Sequence, residues 1–133
     1  MVLPAFLDFW QQRSAFFEVL ITEAPGHAEQ LVRAIGERGE DARIFAVGGD
    51  GTFREAAAGA AGQERLSLGI IPCGSGDDFV RSFGGRERFL SPRLQFEAST
   101  RPLDLILTEY GPAADMCAIG LDAAVAYHMV RFK

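Results

Sequence analysis

Two glycine-rich stretches carry the residues of this chain that are best suited to chemistry. Residues 48–52 read GGDGT and residues 74–78 read GSGDD, and each stretch follows a short apolar run and precedes a helical pattern. Glycine lets backbone N–H groups approach a ligand closely, and the N-terminus of the following helix adds the positive end of its dipole. Such a cradle binds an anion without any lysine, and phosphate is the obvious anion.

The aspartates of the two stretches indicate that a cation also binds. A carboxylate next to a phosphate is repelled unless a cation lies between them, and Mg²⁺ binds through one or two carboxylates plus phosphate oxygens. Asp50 lies in the first stretch, and Asp77 and Asp78 lie in the second. These residues favour a nucleotide–Mg²⁺ site with phosphoryl transfer as its chemistry. The alternative is that Asp50 and Asp77 only cap helices or stabilise turns.

The basic residues narrow the choice of phosphate site. Arg54 and Arg81 lie at the start of the two following helical patterns, where they either contact phosphates or are solvated surface charges. Lys133 is the only lysine of the sequence, and it is the last residue. Mechanisms that need an internal lysine, such as a Walker-type phosphate loop or a Schiff base, are therefore excluded.

Strands and helices that alternate along the chain are predicted to position these stretches. Short apolar runs predict strands at residues 15–22, 43–47 and 68–71, and this βαβ order predicts an α/β fold with a mainly parallel sheet and helices on both faces. Loops that follow parallel strands lie at the carboxyl edge of the sheet, where open α/β folds bind ligands. Apolar spacing further predicts helices at 3–10, 28–35, 52–62, 79–83 and 86–98, the last beginning near Ser91-Pro92, and a hairpin of 103–110 with 115–122 around a GPAA turn.

Composition limits the classes of function. The 133 residues suit one domain, and a net charge of −5 argues against nucleic-acid binding, which needs a basic face. No apolar run reaches the roughly 20 residues that span a bilayer, and the N-terminus lacks the features of a signal peptide. Cys73 and Cys117 form no disulfide framework and are expected to be small core residues. We therefore expect a cytoplasmic protein, with peripheral membrane contact left open.

The two stretches and their flanks resemble the catalytic domain of diacylglycerol kinases, which is shared with sphingosine and ceramide kinases. The segments that carry the resemblance are AVGGDGTFREAAAGA (46–60) and LGIIPCGSGDDFVRSFG (68–84), and TEAPGHA (22–28) and PLDLILTEYG…CAIGLDAAV add to it over roughly residues 14–127. The resemblance implies a fold similar to the N-terminal lobe of diacylglycerol and NAD kinases. It also implies ATP-dependent phosphorylation of a lipid hydroxyl, with diacylglycerol or a similar lipid as the acceptor.

The resemblance also implies a role for each matched residue. Asp50 is expected to be the catalytic acid of this segment, and Asp50 and Asp78 are expected to hold Mg²⁺. The residues expected to bind ATP are Thr22, Gly48, Gly49, Asp50, Gly51, Thr52, Glu55, Gly74, Ser75, Gly76 and Asp77.

The chain departs from the family pattern at three loop positions. Arg54 and Asp77 stand where the family has asparagine, and Ser75 replaces threonine but keeps the hydroxyl. The extra negative charge of Asp77 is expected to weaken ATP binding or to make it more dependent on Mg²⁺. The family's first strand has no counterpart before Leu3, and its second lobe has none in the sequence. We therefore assign residues 1–121 to a nucleotide-binding lobe without its first strand, and residues 122–133 to the start of a segment leading to an absent second lobe.

Three functions are compatible with these observations. The first is the ATP-binding lobe of a lipid kinase that acts at a membrane surface. The second is a non-catalytic nucleotide-binding or regulatory module, and the third is an enzyme similar to NAD kinases, which the IIPCGSGDDF block disfavours. A lobe without its partner lobe exposes apolar surface, so we also expect the chain to form a homo-oligomer.

Overall fold

The computed structural model describes residues 2–13 and 16–130. These residues alternate between helices and strands, as the sequence predicts. The α/β fold class is confirmed. None of the helices in this part of the chain is both long enough and apolar enough to cross a membrane. In chain order the elements are α1 (Leu3–Gln12), α2 (His27–Glu37), β1 (Ala42–Gly48), α3 (Asp50–Ala60), β2 (Leu66–Pro72), α4 (Asp78–Ser82), α5 (Arg86–Phe89), α6 (Pro92–Glu97), β3 (Ile106–Thr108), β4 (Gly111–Ala113) and α7 (Leu121–Val130).

Strands β1 and β2 form a parallel pair that fixes where the glycine stretches lie. The pairing runs from Ala42 opposite Leu66 to Gly48 opposite Pro72. Helix α3 makes the crossover between the two strands. Because both strands run in the same direction and end in register, the segments that leave them emerge at the same edge of the sheet.

Helices cover both faces of this pair, as predicted. On one face Val32 of α2 and Phe53 of α3 belong to a buried cluster with Ile70. On the other face α1 buries Phe6 and Trp10 against Ile71. Successive residues of a strand point to opposite faces, so adjacent isoleucines serve the two clusters. Ile70 and Ile71 are both 0% exposed, and each contributes about 1.5–3 kcal/mol by its burial. Cys73 and Cys117 are both exposed, so the expectation that they are core residues is wrong.

The predicted strand at residues 15–22 is wrong over its described part. Residues 16–22 belong to no helix and to no ladder, and Ala15 lies outside the described residues. Residues 16–22 and residues 42–47 of β1 line the same cavity of about 940 Å³. A ladder needs a neighbouring backbone about 4.8 Å away. The open space beside β1 leaves this apolar segment without that neighbour.

A C-terminal hairpin forms, but not from the predicted strands: only residues 106–108 of the predicted strand 103–110 are in a strand, and residues 115–122 form none. Strand β3 pairs antiparallel with β4, so the GPAA segment supplies a strand and the turn falls at residues 109–110. The hydroxyl of Thr108 accepts a hydrogen bond from the Tyr110 N–H at 3.1 Å and donates one to the Gly111 carbonyl at 2.8 Å. Gly111 has φ +107°, which favours glycine. These features fix the turn before GPAA.

The remaining boundaries are close to prediction, with two differences. Residues 121–122 begin helix α7, not the end of a strand. The helix predicted over 86–98 is divided into α5 and α6. The second of these begins at Ser91-Pro92 as predicted, and the Ser91 hydroxyl accepts a hydrogen bond from the Leu94 N–H at 3.4 Å.

Candidate functional site

The segments that leave β1 and β2 meet at the carboxyl edge of the pair. We call residues 48–52 the first loop and residues 73–78 the second loop. The Cys73 N–H donates to the Gly48 carbonyl at 2.8 Å. A Cβ placed on Gly74 would lie 2.6 Å from the Cα of Gly49, closer than real side chains approach a backbone. The loops therefore contact each other through glycine backbone, which explains why both positions lack a side chain.

Asp50 joins the two loops through its carboxylate. It is the first residue of α3, and its Oδ2 and Oδ1 atoms accept hydrogen bonds from the Asp77 and Asp78 N–H groups, both at 2.9 Å. A Cβ on Gly76 would lie 2.7 Å from Asp50 Oδ2. Both oxygens of Asp50 thus hold the second loop, whatever further role the residue has. Its roles in catalysis and metal binding stay predictions.

Asp77 turns its side chain into the second loop. It is 2% exposed, and its backbone has φ +52°, a left-handed conformation that is uncommon for a residue other than glycine. Its Oδ1 accepts a hydrogen bond from the Gly74 N–H at 3.1 Å, and its Oδ2 accepts one from Arg86 at 2.8 Å. Protein groups therefore contact both carboxylate oxygens, so the charge of Asp77 has a cation beside it in the absence of any ligand.

Both loops contain backbone N–H groups that have no acceptor among the described residues. The N–H groups of Asp50, Gly51 and Thr52 form the first turn of the 11-residue helix α3, and that helix has no side-chain cap. Within residues 2–13 and 16–130, no acceptor contacts these three groups or the N–H groups of Ser75 and Gly76. Free donors at a helix N-terminus and in a glycine loop are the groups that bind phosphate in other proteins.

A second group of predicted residues lies beside the first loop. Thr22, Gly51, Thr52 and Glu55 line one cavity of about 430 Å³. A Cβ on Gly48 would lie 2.5 Å from Thr52 Oγ1, so this glycine gives the threonine side chain its space. The residues of the second loop do not line this cavity. The predicted nucleotide-binding residues are therefore divided between a cavity and a pair of loops, and the first loop belongs to both.

The predicted metal ligands lie close to one point of the second loop. A Cβ on Gly76 would lie 2.7 Å from Asp50 Oδ2 and 3.6 Å from Asp78 Oδ2. No cluster of three or more His, Cys, Asp or Glu side chains that could hold a metal occurs in the described part of the chain. Two carboxylates fit Mg²⁺ that shares its coordination with phosphate oxygens. Arg81 also contacts Asp78, with Nη1 at 3.4 Å from Oδ1.

Sequence reasoning missed two charged residues of this region. Arg86 contacts Asp77. The sequence signal for this contact is that Asp77, which stands where the diacylglycerol kinase family has asparagine, needs a cation nearby. Asp115 follows β4, and its pKa is raised, first by burial and then by the negative charges of Asp78 and Asp50. The place of Asp115 near the two loops was missed because residue 115 was predicted to lie inside a strand. The carboxylates of Asp50, Asp77, Asp78 and Asp115 thus share this edge of the fold.

Comparison with known proteins agrees with this architecture. The sequence pattern of the diacylglycerol kinase catalytic domain matches residues 2–108. Two proteins named "Probable lipid kinase YegS-like" are 34% identical over 92 residues in Cronobacter sakazakii and 36% identical over 91 residues in Chromohalobacter salexigens, which is 66% and 65% of this chain. YtlR of Bacillus subtilis, whose name also assigns it to the lipid kinases, is 40% identical over 65 residues, or 47% of this chain.

The matched regions cover only part of these relatives. They amount to 21% of YtlR, 30% of the Cronobacter protein and 29% of the Chromohalobacter protein. The match to the domain pattern, in contrast, includes both glycine loops and most of the chain. The chain therefore belongs to the diacylglycerol kinase catalytic domain family.

Proposed function

We propose that this chain is the ATP-binding lobe of a lipid kinase. In this proposal ATP binds with its phosphates between the two loops, and its γ-phosphoryl group passes to the hydroxyl of a lipid such as diacylglycerol. The observation that carries the proposal is the meeting of two loops that present free N–H groups, with the carboxylates of Asp50 and Asp78 at the same place. The relatives named as lipid kinases support the acceptor class.

The residues of the chain act chiefly by binding and positioning. The free N–H groups of Gly51, Thr52 and Gly76 donate to phosphate oxygens, which stabilises the charge that spreads over the transferring group. Thr22 and Glu55 contact the nucleotide from the cavity beside the first loop. Asp50 and Asp78 would hold Mg²⁺ together with the phosphates, and the ion would supply positive charge to offset that of the polyphosphate.

In the transfer itself one P–O bond is exchanged for another. The lipid hydroxyl oxygen forms a bond to the γ-phosphorus, the bond from that phosphorus to the β–γ bridging oxygen breaks, and ADP leaves with the electron pair. The hydroxyl proton is released. We assign no general base for it to the described residues, and Asp50 is proposed to act by holding the loops and the metal in register.

A non-catalytic nucleotide-binding module is the second candidate. It is favoured by Arg54 and Asp77, which stand where the diacylglycerol kinase family has asparagine. An enzyme similar to NAD kinases is a weaker alternative, because the relatives found are named for lipid phosphorylation. Transfer of the γ-phosphoryl group to diacylglycerol in mixed micelles separates the candidates.

Calorimetric titration with Mg²⁺–ATP tests the proposal most simply. We expect binding by the wild-type chain and weaker binding by Asp78→Asn, because this change removes one proposed metal ligand without removing a hydrogen bond that joins the loops. Titration with ATP in EDTA is the control for the metal. Equal affinities of the two proteins with and without Mg²⁺ would contradict the proposed metal site.

We also propose that the chain self-associates and works at a membrane surface in the cytoplasm. Phe16 and Ile21 of the unpaired segment are 100% and 80% exposed, and β1 has an open edge beside them. A second copy of the chain supplies the same strand-forming segment, which suits that edge because unpaired strand edges attract other strands. Light scattering that shows only a monomer at high concentration would contradict self-association.

A further inference from the structure

Arg86 lies outside both glycine loops but reaches back to the second one. It is the first residue of α5, and its guanidinium makes three hydrogen bonds to that loop and the strand end before it. Nη1 donates to Asp77 Oδ2 at 2.8 Å and to the Gly74 carbonyl at 3.2 Å, and Nη2 donates to the Pro72 carbonyl at 3.3 Å. These acceptors span the loop from its entry to Asp77, so one side chain ties both ends together.

Asp77 has the environment that makes such a partner necessary. Its side chain is only 4% exposed, whereas that of Arg86 is 48% exposed. A buried carboxylate is costly unless it is paired and hydrogen-bonded, and the planar guanidinium suits a carboxylate and nearby carbonyls at once. The left-handed backbone of Asp77 adds a local cost, which persists because its side chain and N–H are both fixed.

The geometry points to Arg86 as a positioning residue for the second loop. We call the Arg86–Asp77 pair the clamp. It holds the backbone that carries the free N–H groups of Ser75 and Gly76, and these are proposed to donate to the phosphates of ATP. The inference therefore rests on the proposed function for its purpose, but the ordering of the loop by the clamp does not depend on ATP.

The clamp also reverses the expectation drawn from the sequence for Asp77. An extra aspartate near the phosphates is expected to weaken ATP binding, and its replacement by asparagine is then expected to strengthen it. With Arg86 beside Asp77, the charge is already compensated inside the protein. Replacing Asp77 alone leaves Arg86 without its carboxylate partner and loosens the loop. Asp77→Asn is therefore expected to weaken binding of Mg²⁺–ATP.

Four variants test the clamp. Arg86→Met removes the guanidinium, Asp77→Asn removes the carboxylate charge, and the double variant removes both charges. Arg88→Met is the matched control, because Arg88 lies on the same short helix and its side chain lies beside Gly84, outside the second loop. All are compared at a temperature where circular dichroism shows each protein to be folded.

Amide hydrogen exchange without nucleotide reports the loop directly. The N–H groups of Gly74, Asp77 and Asp78 are hydrogen-bonded, so their exchange is slow while the loop is ordered. We expect their exchange in Arg86→Met to be about tenfold faster than in wild type, which corresponds to the loss of one charge-assisted contact. Arg88→Met leaves these rates unchanged.

Nucleotide affinity reports the consequence for the site. We expect Arg86→Met and Asp77→Asn each to weaken Mg²⁺–ATP binding about tenfold in titration calorimetry, which is the effect of about 1.4 kcal/mol. The double variant is weakened no more than either single variant, because both changes remove the same contact. Two residues that stabilised the fold independently would instead give losses that add, about a hundredfold in the double variant.

The outcomes separate the clamp from the proposed function. Equal loop exchange and equal ATP affinity in Arg86→Met and Arg88→Met would overturn the clamp, and so would a double variant in which the two single losses add. Faster loop exchange in Arg86→Met together with no ATP binding by wild type would overturn the proposed function and leave the clamp standing as a loop-ordering pair. If Arg86→Met does not fold, Arg86→Lys replaces it, with an intermediate loosening expected because lysine lacks the planar fork.

Discussion

The two glycine loops leave neighbouring strands at the same edge, yet they are held in place differently. The first loop runs directly into the 11-residue helix α3, so its backbone is fixed by regular helix geometry and needs no side-chain cap. The second loop precedes the five-residue helix α4 and contains a left-handed Asp77. Side chains hold it: Asp50 from the first loop and Arg86 from beyond α4.

In the proposed phosphate site the first loop is thus held by its helix and the second by side chains. A Cβ added at Gly51, at the start of α3, would have no protein atom within 4 Å and would enter open space. In the second loop the backbone is fixed by side chains, which substitutions can remove. We therefore expect a side chain added in the first loop to affect ligand binding, and the loss of a side chain that fixes the second loop to affect the order of that loop.

The largest effect is expected where the two loops touch. In Gly74→Ala the new Cβ would lie 2.6 Å from the Cα of Gly49, and neither backbone can move without breaking the Cys73–Gly48 hydrogen bond. We expect a loss of about 3 kcal/mol in the free energy of unfolding, at the upper end for overpacked sites. Urea unfolding measures it. Stability equal to wild type would mean that the loops are not in contact.

The next largest effect is expected at Asp50, whose carboxylate connects the two loops. Asp50→Asn replaces one acceptor oxygen with an NH₂ group that faces a backbone N–H, so one of the two 2.9 Å hydrogen bonds is lost. We expect a destabilisation of about 1–3 kcal/mol in chemical denaturation, because a buried donor is left unpaired.

Asp78→Asn is the control for this connection. Asp78 contacts Asp50 through its backbone N–H and not through its side chain, so the change should alter the free energy of unfolding by less than about 0.5 kcal/mol. If the two variants were equally stable, the carboxylate of Asp50 would not join the loops.

A change in the first loop should have the opposite balance of effects. In Gly51→Ala the new Cβ would have no protein atom within 4 Å, and the position is helical. We expect unfolding to become harder by up to about 1 kcal/mol, since alanine favours a helix more than glycine does. Binding of Mg²⁺–ATP should weaken, because the methyl group occupies the space in front of the free N–H groups. Thermal melts and calorimetry of one sample measure both, and unchanged affinity would place the phosphates elsewhere.

The smallest effect concerns Asp115 and depends on pH. Its pKa is raised in the folded chain, so its ionised form is less favourable there than in the unfolded chain, and ionisation costs stability above the folded-state pKa. The cost begins to fall as pH drops through that pKa, and it is gone below the pKa of Asp115 in the unfolded chain. The free energy of unfolding of Asp115→Asn at neutral pH should therefore exceed that of wild type by less than about 0.5 kcal/mol, because solvent screens the site. The difference should vanish in acid, and a difference that grows on acidification would contradict this assignment.

The sequence predicted the parts of the fold that depend on local patterns. Strands β1 and β2, the helices on both faces and the meeting of the two loops follow from apolar runs, glycine positions and the direction of parallel strands. Residues 16–22 have the composition of a strand but lack a neighbour, and composition alone does not supply one. The hairpin turn was misplaced because Thr108 and Gly111 fix it through contacts that no periodicity reveals.

The site was predicted as a set of residues but not as a set of contacts. Thr22 and Glu55 do share a cavity with the first loop. The partnership of Asp77 with Arg86 was missed, because a hydrogen bond between residues nine positions apart depends on how the chain turns at Gly84 and Gly85, both of which have positive φ. Asp115 was missed for the similar reason that its place depends on the hairpin.

The most direct test of the central claim is amide hydrogen exchange across the two loops with and without Mg²⁺–ATP. If both loops bind one polyphosphate, the N–H groups of residues 50–52 and of residues 75–76, which have no acceptor among the described residues, should become protected together at the same nucleotide concentration. Protection of one loop without the other, or of neither at concentrations that saturate binding, would contradict the account.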